Sequence, residues 1–372
     1  MIKWKPHPYQ LEAIRMMITR GAAGLFLDPG LGKTSISLMA SKILLEKKLV
    51  KGVLVIAPLR PARVTWPEEV RKWVDFNNLS LVVLHGKDKD KLLEEKHDIY
   101  VINPEGLLWL IQPKIVKSAV SVSVRRMDYL MEKFNMLIVD ESTKFKSSSS
   151  QRFKILKATL NYWRRRYILT GTPAPNGLQD IWAQIFLLDG GSSLSPYITH
   201  FRNEYYYLAP NSHQYDYRLF PNAADKIAAK IDHLVLRLRA EDYLQLPQLS
   251  RVKVEVDLEP KTREHYKTLE KEFALLLKEG TITVANSAVL SNKLRQVVSG
   301  AVYLDGEVVD MNTTKVDALA ELVEELSQTT QFVIITHNRR TVEVADTVYG
   351  ITMGADSASQ VISLKLEGKA KP

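Results

Sequence analysis

Short apolar runs alternate with amphipathic segments along the first half of the chain. The segments 33–48 and 64–74 have the periodicity of helices. Apolar runs lie around them, at 24–27, 53–57, 81–84, 99–102, 136–139 and 167–169. Several of these runs are followed at once by polar residues or by Gly and Pro, as buried strands are. The pattern predicts an α/β fold with a mostly parallel sheet, helices on both faces, and ligands beyond the carboxyl ends of the strands.

A Gly/Ser-rich stretch at 190–195 predicts a boundary after this first part of the chain. Aromatic and polar residues follow it, and the run 251–258 alternates like a strand. Two or three helices and a further apolar run at 332–335 then indicate a second α/β lobe. The predicted parts are a first domain at 1–190, a connecting segment at 191–250 and a second, incomplete lobe at 251–372.

The charge balance favours a polyanionic partner. The 372 residues include 51 Lys and Arg against 42 Asp and Glu, a net charge of +9; this suits nucleic acid and is equally compatible with a merely soluble basic protein. The absence of cysteine excludes disulfides, thiolate metal sites and a cysteine nucleophile, and it fits a reducing cytoplasm. No apolar run approaches the length of a membrane span, and the N-terminus lacks the apolar core of a signal peptide, so no membrane partner is expected.

A candidate phosphate loop lies between the first apolar run and the first periodic segment. Its residues are Asp28, Pro29, Gly30, Leu31, Gly32, Lys33, Thr34 and Ser35. Backbone N–H groups at a helix N-terminus would cradle an anion, Lys33 would reach the outer phosphates, and the Thr34 hydroxyl would bind Mg²⁺. Leu27 stands where the general pattern has its first glycine, and the alternative is a tight turn capped by a helix. The strand–loop–helix context favours the phosphate loop.

Two acids, Asp140 and Glu141, end the apolar run at 136–139. Asp140 would hold Mg²⁺, often through water, and Glu141 would orient and polarise the attacking water. The alternative is a helix N-cap with an acid in its first turn. Together with the phosphate loop, the pair predicts the second half of an ATPase site.

A third strand end carries Thr170, Gly171 and Thr172. Small hydroxyls there would sense phosphate, but by itself the segment is more typical of an ordinary turn. Basic residues near these loops, including Arg60, would contact a phosphate backbone without regard to sequence. Each of them taken alone is more typical of a solvated surface.

In this order, the motifs resemble those of superfamily 2 helicases, and within them the Swi/Snf-type DNA translocases, from about residue 7 to 354. His7-Pro8-Tyr9-Gln10 is similar to the Q motif, which implies that Gln10 reads adenine through its amide. Residues 28–34 are similar to motif I, whose family form also lacks the first glycine. Residues 140–143 are similar to motif II, with Thr143 where the family often has histidine. That departure bears on the coupling between motifs rather than on the chemistry.

Further motifs of the resemblance imply contacts to nucleic acid. They are similar to motif Ia at 55–60, motif Ib at 102–105, motif III at 169–176, the Swi/Snf inter-lobe segment at 236–247 and motif IV at 332–337. The nucleic-acid contacts implied in this way are Arg60, Asn103, Thr170, Gly171, Thr172 and His337.

The resemblance implies tandem RecA-like lobes with parallel sheets, a helical inter-lobe segment and an incomplete second lobe. It implies ATP and Mg²⁺ as cofactors and double-stranded DNA as the partner. Lys33, Asp140 and Glu141 would be catalytic, and Thr34 and Asp140 would hold the metal. Hydrolysis would open and close the cleft between the lobes and move the protein along the duplex. The small size and lack of accessory domains suggest a viral or bacterial version, which would act in the cytoplasm of the cell or of the host.

In the family, motif IV is followed by motifs V and VI, and motif VI supplies arginines that reach the γ-phosphate. The last arginine here is Arg340, so we expect the chain alone to be a poor ATPase even with DNA present. Three alternatives stay open. They are a restriction-type or RNA-directed superfamily 2 ATPase, a non-catalytic nucleotide- and DNA-binding remnant, and a subunit whose second lobe another polypeptide completes.

Overall fold

The computed structural model describes residues 2–117, 119–208, 217–243, 253–278, 284–304, 307–332, 334, 347–353 and 359–365. In chain order the strands are β1 (Ala22–Leu27), β2 (Val53–Ile56), β3 (Leu81–Val83), β4 (Ile99–Ile102), β5 (Lys114–Val116), β6 (Ala119–Ser121), β7 (Met136–Asp140), β8 (Arg165–Thr170), β9 (Tyr206–Leu208), β10 (Tyr217–Leu219), β11 (Val235–Leu238), β12 (Ala301–Leu304), β13 (Glu307–Asp310), β14 (Thr347–Met353) and β15 (Ser359–Lys365). The α-helices are α1 (Pro8–Thr19), α2 (Lys33–Glu46), α3 (Trp66–Lys72), α4 (Lys89–Glu94), α5 (Leu107–Ile111), α6 (Val124–Lys133), α7 (Gln151–Thr159), α8 (Gln179–Asp189), α9 (Ile198–Tyr205), α10 (Ala223–Ile231), α11 (Ala240–Tyr243), α12 (Pro260–Lys278), α13 (Val284–Ser299) and α14 (Thr314–Leu326).

A seven-stranded parallel sheet organises the first compact unit, Met1–Gln248. Its strand order is β11-β1-β8-β7-β2-β4-β3, and each neighbouring pair is parallel. All seven carboxyl ends therefore lie at one edge. Because β8 separates β1 from β7, the segment after β8 lies between the loop after β1 and the acids that end β7. The predicted α/β fold with a parallel sheet is confirmed for this unit.

Both faces of the sheet are covered, which explains why most of its strands are unbroken apolar runs rather than alternating ones. In β2, Leu54 and Ile56 pack into one core cluster and Val53 and Val55 into the other, and all four side chains are fully buried. Helices α1 to α3 contribute to the second cluster and α4 to α10 to the first. The sheet is thus a rigid platform for the loops at its edge.

Several helix ends coincide with residues suited to them. Ser123 and Ser150 precede α6 and α7, and their hydroxyls accept backbone N–H groups of the first helical turns. Gly190 follows α8 in the left-handed conformation, at φ 71°, which glycine adopts without strain. The predicted boundary at 190–195 therefore coincides with a helix end, yet the first unit continues beyond it and includes β11. The division of the chain at residue 190 stays a prediction.

The second compact unit, Leu249–Pro372, combines helices α12 to α14 with two antiparallel hairpins, β12–β13 and β14–β15. Thr262 is buried there, and its hydroxyl donates to the carbonyl of Met311 at 3.1 Å. In the predicted strand 332–335, the described residues Phe332 and Ile334 are exposed and belong to no helix or strand. His337 lies outside the described residues.

Within the part of the chain that the structure describes, no helix is long and apolar enough to cross a membrane.

Candidate nucleotide site at the strand ends

The loop between β1 and α2 has the backbone geometry of an anion cradle. Gly30 and Gly32 both have positive φ, 87° and 81°, in a region that disfavours any residue with a Cβ. A Cβ at Gly32 would also lie 2.5 Å from Nε2 of Gln10. Helix α2 starts at Lys33 without a side-chain cap, so the N–H groups of its first turn point toward the loop and are suited to an anion.

Lys33 lies folded back on this loop. Its Nζ donates to the carbonyl of Leu27 at 2.6 Å and to that of Asp28 at 3.3 Å. Burial lowers the pKa of Lys33, and the nearby carboxyl groups of Glu141, Asp140 and Asp28 oppose that shift. The ammonium group therefore lies between the loop and the acids at the end of β7. A phosphate group in the loop would offer it stronger, charged acceptors.

The two hydroxyl residues that follow Lys33 have different surroundings. Thr34 is half-buried in the first turn of α2. Ser35 is buried, and its hydroxyl donates to Oε2 of Glu69 in α3 at 2.9 Å. The same Glu69 oxygen accepts from Nε1 of Trp73 at 2.7 Å. Of the pair, Thr34 is therefore the one whose hydroxyl is available for a metal, and Ser35 fastens α2 to α3.

Asp140 ends β7 as a buried carboxylate with two protein donors. Nε1 of Trp66 donates to its Oδ2 at 3.0 Å, and the backbone N–H of Glu141 donates to its Oδ1 at 3.0 Å. Burial raises the pKa of Asp140, and these two hydrogen bonds oppose the shift. The fully buried Trp66 ring fixes the carboxylate beside Lys33. Sequence reasoning assigned no such role to this tryptophan.

Glu141 has a left-handed backbone, with φ 50° and ψ 56°. This conformation is uncommon for a residue other than glycine or asparagine, and such strain is frequent at functional sites. Burial raises the pKa of the half-buried Glu141 carboxyl, and the negative charge of Asp140 raises it further. The two adjacent acids therefore differ: one is fixed by donors, and the other is held partly out of water next to it.

A buried hydrogen-bonded bridge joins the end of β7 to the loop after β8. The Ser142 hydroxyl donates to Oε1 of Gln184 at 2.6 Å. Nε2 of Gln184 donates to the carbonyl of Pro173 at 2.6 Å and to that of Asp180 at 2.8 Å. Both Ser142 and Gln184 are fully buried. The bridge was not predicted; its signal in the sequence is a single amide within the otherwise apolar run 181–188 of α8.

The loop after β8 lies against the phosphate loop. A Cβ at Gly171 would lie 3.1 Å from Cδ of Pro29 and 3.4 Å from the Leu27 carbonyl. Thr170 is fully buried, and its hydroxyl accepts the backbone N–H of Thr172 at 3.1 Å, so it shapes the loop from within. Thr172 is exposed. Three neighbouring strand ends thus bring together the segments predicted for phosphate, metal and water.

Gln10 anchors α1 to the phosphate loop. Its Nε2 donates to the carbonyl of Leu31 at 3.1 Å, and its Oε1 accepts the backbone N–H of His7 at 2.9 Å. The side chain is buried. Both ends of the amide are therefore occupied by backbone groups, and its predicted role as the reader of adenine stays a prediction.

The residues predicted to contact nucleic acid follow other strand ends. Arg60 is exposed beyond β2, at the start of the π-helical turn Pro61–Thr65. Asn103 follows β4, and its amide donates to Oε2 of Glu105 at 2.8 Å. Both lie at the carboxyl edge of the sheet, along the same edge as the nucleotide loops. A contact with nucleic acid stays a prediction for each of them.

The residues of this site lie in a part of the chain that matches a known protein family. Residues 9–304 match the SNF2-related domain. The chain is 29% identical to "Putative protein p41" of Acyrthosiphon pisum secondary endosymbiont phage 1 in an alignment of 343 residues that covers 87% of this chain and 70% of that protein. It is 26% identical to the CHD3-type chromatin-remodeling factor PICKLE of Arabidopsis thaliana over 81% of this chain, but this is only 22% of PICKLE.

A solved structure, the Sulfolobus solfataricus SWI2/SNF2 ATPase core in complex with dsDNA, is 22% identical, with a TM-score of 0.49 over 89% of this chain and 68% of that one. The family match, by contrast, includes the phosphate loop, both acids, the loop after β8 and β11, and it covers well over half of the chain. The chain therefore belongs to the SNF2-related domain family.

Proposed function

We propose that this chain is the ATP-hydrolysing core of a motor that moves along double-stranded DNA. One observation carries the proposal. The phosphate loop, the Asp140–Glu141 pair and the loop after β8 meet at three neighbouring strand ends, with Lys33 electrostatically coupled to both acids. Membership of the SNF2-related family supports the same function, as does the name of the chromatin-remodeling relative PICKLE.

The donor atoms at this site fit Mg²⁺ bound together with a nucleotide. A hydroxyl from Thr34 and a carboxylate from Asp140 are hard oxygen ligands. Among the described residues, no group of three or more His, Cys, Asp or Glu side chains is placed to enclose an ion. One hydroxyl and one carboxylate suit Mg²⁺, which keeps several waters and takes its other ligands from phosphate oxygens. When bound, the ion would neutralise charge on the phosphates.

The remaining chemistry belongs to residues of the chain. The N–H groups at the start of α2 and the Lys33 ammonium bind the phosphates and stabilise the charge that develops on them. Glu141 accepts a hydrogen bond from the attacking water and orients it in line with the γ-phosphate. Trp66 holds Asp140 in place for the metal through the 3.0 Å hydrogen bond. The buried Ser142–Gln184 bridge passes a change at these acids to the loop after β8.

Duplex DNA is the proposed partner because the charge of the chain is distributed unevenly. Between Glu141 and Asp180, eight Lys and Arg residues occur and no acidic residue does. Arg60 and Asn103 add polar groups at the same edge of the sheet. Such groups contact phosphates without reading sequence, as a motor that moves along DNA requires.

The test is steady-state ATP hydrolysis by the full chain with duplex DNA, single-stranded DNA and RNA compared at equal nucleotide concentration. We expect turnover by the chain alone to be slow, and we expect duplex DNA to stimulate it more than single-stranded DNA or RNA does. Stimulation by RNA alone would favour the RNA-directed alternative. Tight Mg–ATP binding without turnover under any condition would favour a non-catalytic protein, or one that needs a second polypeptide to complete its second lobe. Failure of the folded chain to bind ATP would overturn the proposal.

A further inference from the structure

Three aromatic side chains cluster beside the phosphate loop. The ring of His7 stacks on that of Tyr9, with centroids 5.4 Å apart and planes 11° apart. The ring of Tyr243 packs on Tyr9 from another direction, at 4.7 Å and 50°. Tyr9 is 5% exposed and Tyr243 is 43% exposed. Tyr243 therefore has one ring surface against the protein and a substantial part of its surface in solvent.

Hydrogen bonds tie the two elements that carry these tyrosines to two residues of the phosphate loop, Leu31 and Asp28. Tyr9 precedes Gln10, whose Nε2 donates to the carbonyl of Leu31 at 3.1 Å. Tyr243 ends the short helix α11, whose first N–H, that of Ala240, donates to Oδ2 of Asp28 at 2.9 Å. The aromatic cluster is thus held next to the loop that would bind the phosphates.

A nucleotide held there by its phosphates needs a surface for its base. The amide of Gln10 is buried and both of its ends are bonded to backbone groups, so it offers no free edge for the base. An aromatic ring with an open face offers stacking, which is available to any planar base. In this cluster His7 and Tyr243 both pack on Tyr9 and are both exposed. Tyr243 is the one whose element is hydrogen-bonded to Asp28, the first residue of the phosphate loop.

We propose that Tyr243 is a base-binding residue of this site, and that its ring, supported by Tyr9, stacks on the adenine ring of ATP. The inference rests on the proposed function, because it requires that the phosphate loop bind a nucleotide. It assigns to α11 a direct role in nucleotide binding, although this helix follows the last strand of the sheet and lies more than 200 positions from the phosphate loop in sequence.

The experiment separates the base from the phosphates. Binding of Mg–ATP and of Mg–tripolyphosphate, which has no base, is measured by calorimetry for the full wild-type chain, Tyr243→Ala and Tyr243→Phe. Tyr243→Ala should weaken ATP binding roughly tenfold, the range found when a stacking ring is truncated, and leave tripolyphosphate binding unchanged. Tyr243→Phe should bind both ligands like wild type, because stacking does not need the hydroxyl.

A matched control is Tyr197→Ala, which removes another exposed tyrosine, 59% accessible, at the start of α9. It should bind both ligands like wild type. Equal ATP affinity in Tyr243→Ala and wild type would overturn the inference and leave the proposed function intact. An equal loss of ATP and tripolyphosphate affinity would also overturn it, since Tyr243 would then support the loop rather than the base. If the folded wild-type chain bound neither ligand, the proposed function would fail and the inference with it.

Discussion

Asp140 and Glu141 are neighbours in sequence, but their surroundings suit them to different tasks. Asp140 receives two hydrogen bonds and is fixed in the core by Trp66. Glu141 has a strained left-handed backbone, and its carboxyl lies partly out of water beside a like charge. A fixed carboxylate suits a metal, whose position must not vary, whereas a carboxyl that is only partly buried suits contact with an attacking water.

Replacing Glu141 with Gln should separate binding from hydrolysis. The amide is isosteric but cannot accept a proton, so we expect hydrolysis to fall by about 10²–10⁴-fold while Mg–ATP affinity is retained. The control is Asp140→Asn, which should weaken Mg²⁺-dependent binding instead. Single-turnover hydrolysis and equilibrium binding measure the two effects. If Glu141→Gln lost Mg–ATP affinity but hydrolysed the ATP that it did bind at the normal rate, the roles assigned to the two acids would be exchanged.

The pH dependence of turnover should report the same group. Burial raises the pKa of Glu141 above its ordinary value, and the adjacent charge of Asp140 acts in the same direction. Since a base must be ionised, kcat should fall as the pH drops through this raised pKa, at higher pH than for an exposed glutamate. The residual turnover of Glu141→Gln should lack this acid limb. An identical limb in the variant would identify another titrating group.

Lys33→Ala should strongly reduce turnover without unfolding the chain. Among the residues that the structure describes, its Nζ donates to carbonyls of its own loop, Leu27 and Asp28, so its removal should leave the apolar core intact. We expect a loss of about 10²–10³-fold, as for other lost donors to developing charge. Circular dichroism on the variant checks the fold, and ATP turnover checks the role. A folded variant with wild-type turnover would contradict the phosphate-loop assignment.

At the scale of elements, the sequence was most informative where a strand is buried on both faces. All six apolar runs of the first half coincide with strands of the parallel sheet, because burial on both faces demands unbroken apolar residues. Strand β11 was missed, since Arg237 interrupts its pattern at an edge position. The alternating run 251–258 was wrongly predicted as a strand; its described residues, 253–258, belong to no strand. Alternation alone does not supply a partner strand.

In the candidate site, too, one part could be predicted from the sequence and another part could not. Its backbone features could be predicted, because glycines between a strand and a helix leave few alternative conformations. The side chains that join its parts could not, because Trp66 and Gln184 act on segments 74 and 42 positions away in sequence. Local patterns carry no information on such pairings, which depend on how α3 and α8 pack on the sheet.

The buried bridge between Ser142 and Gln184 should be energetically coupled. Gln184→Leu leaves the Ser142 hydroxyl and the Pro173 carbonyl without this partner inside the core, which should cost about 1–3 kcal/mol in the free energy of unfolding. Ser142→Ala should cost less, because it leaves one buried group, Oε1 of Gln184, without this partner, whereas Gln184→Leu leaves two. The double variant should be more stable than the sum of the single losses predicts, by about 0.5–3 kcal/mol.

Denaturant unfolding of the four proteins measures this coupling, and kcat measured beside ATP affinity shows whether it serves the reaction. If the bridge transmits changes between the loops, kcat should fall in both single variants at unchanged ATP affinity. If the stability losses were additive and kcat were unchanged, the bridge would contribute to core packing and not to the reaction.

At the scale of the whole molecule, basic residues are concentrated in the segment that joins the acids at the end of β7 to the loop after β8. The net charge is +9, yet the segment between Glu141 and Asp180 alone contributes eight basic residues with no acid. This segment contains α7, β8 and the loop after β8. Lys144 and Lys146 follow the acids that end β7, whereas Arg164, Arg165 and Arg166 lie at the amino end of β8, away from the site. A polyanion attracted to the exposed Lys144, which interacts electrostatically with Glu141, would lie close to the groups that handle phosphate.

DNA binding should therefore weaken steeply with salt and show no sequence preference. Each phosphate that a basic side chain neutralises releases counterions, so the logarithm of the binding constant should fall with the logarithm of salt concentration by about 0.9 per contact. Arg60→Ala should reduce that slope by about 0.9, the contribution of one contact, on every duplex. Arg20→Ala should leave the slope unchanged, because Arg20 precedes β1, at the edge of the sheet away from the nucleotide loops. Fluorescence anisotropy with duplexes of unrelated sequence, titrated over a range of salt, measures both quantities. A flat salt dependence, or strong preference for one short site, would contradict backbone recognition and with it the proposal of a motor that moves along DNA irrespective of sequence.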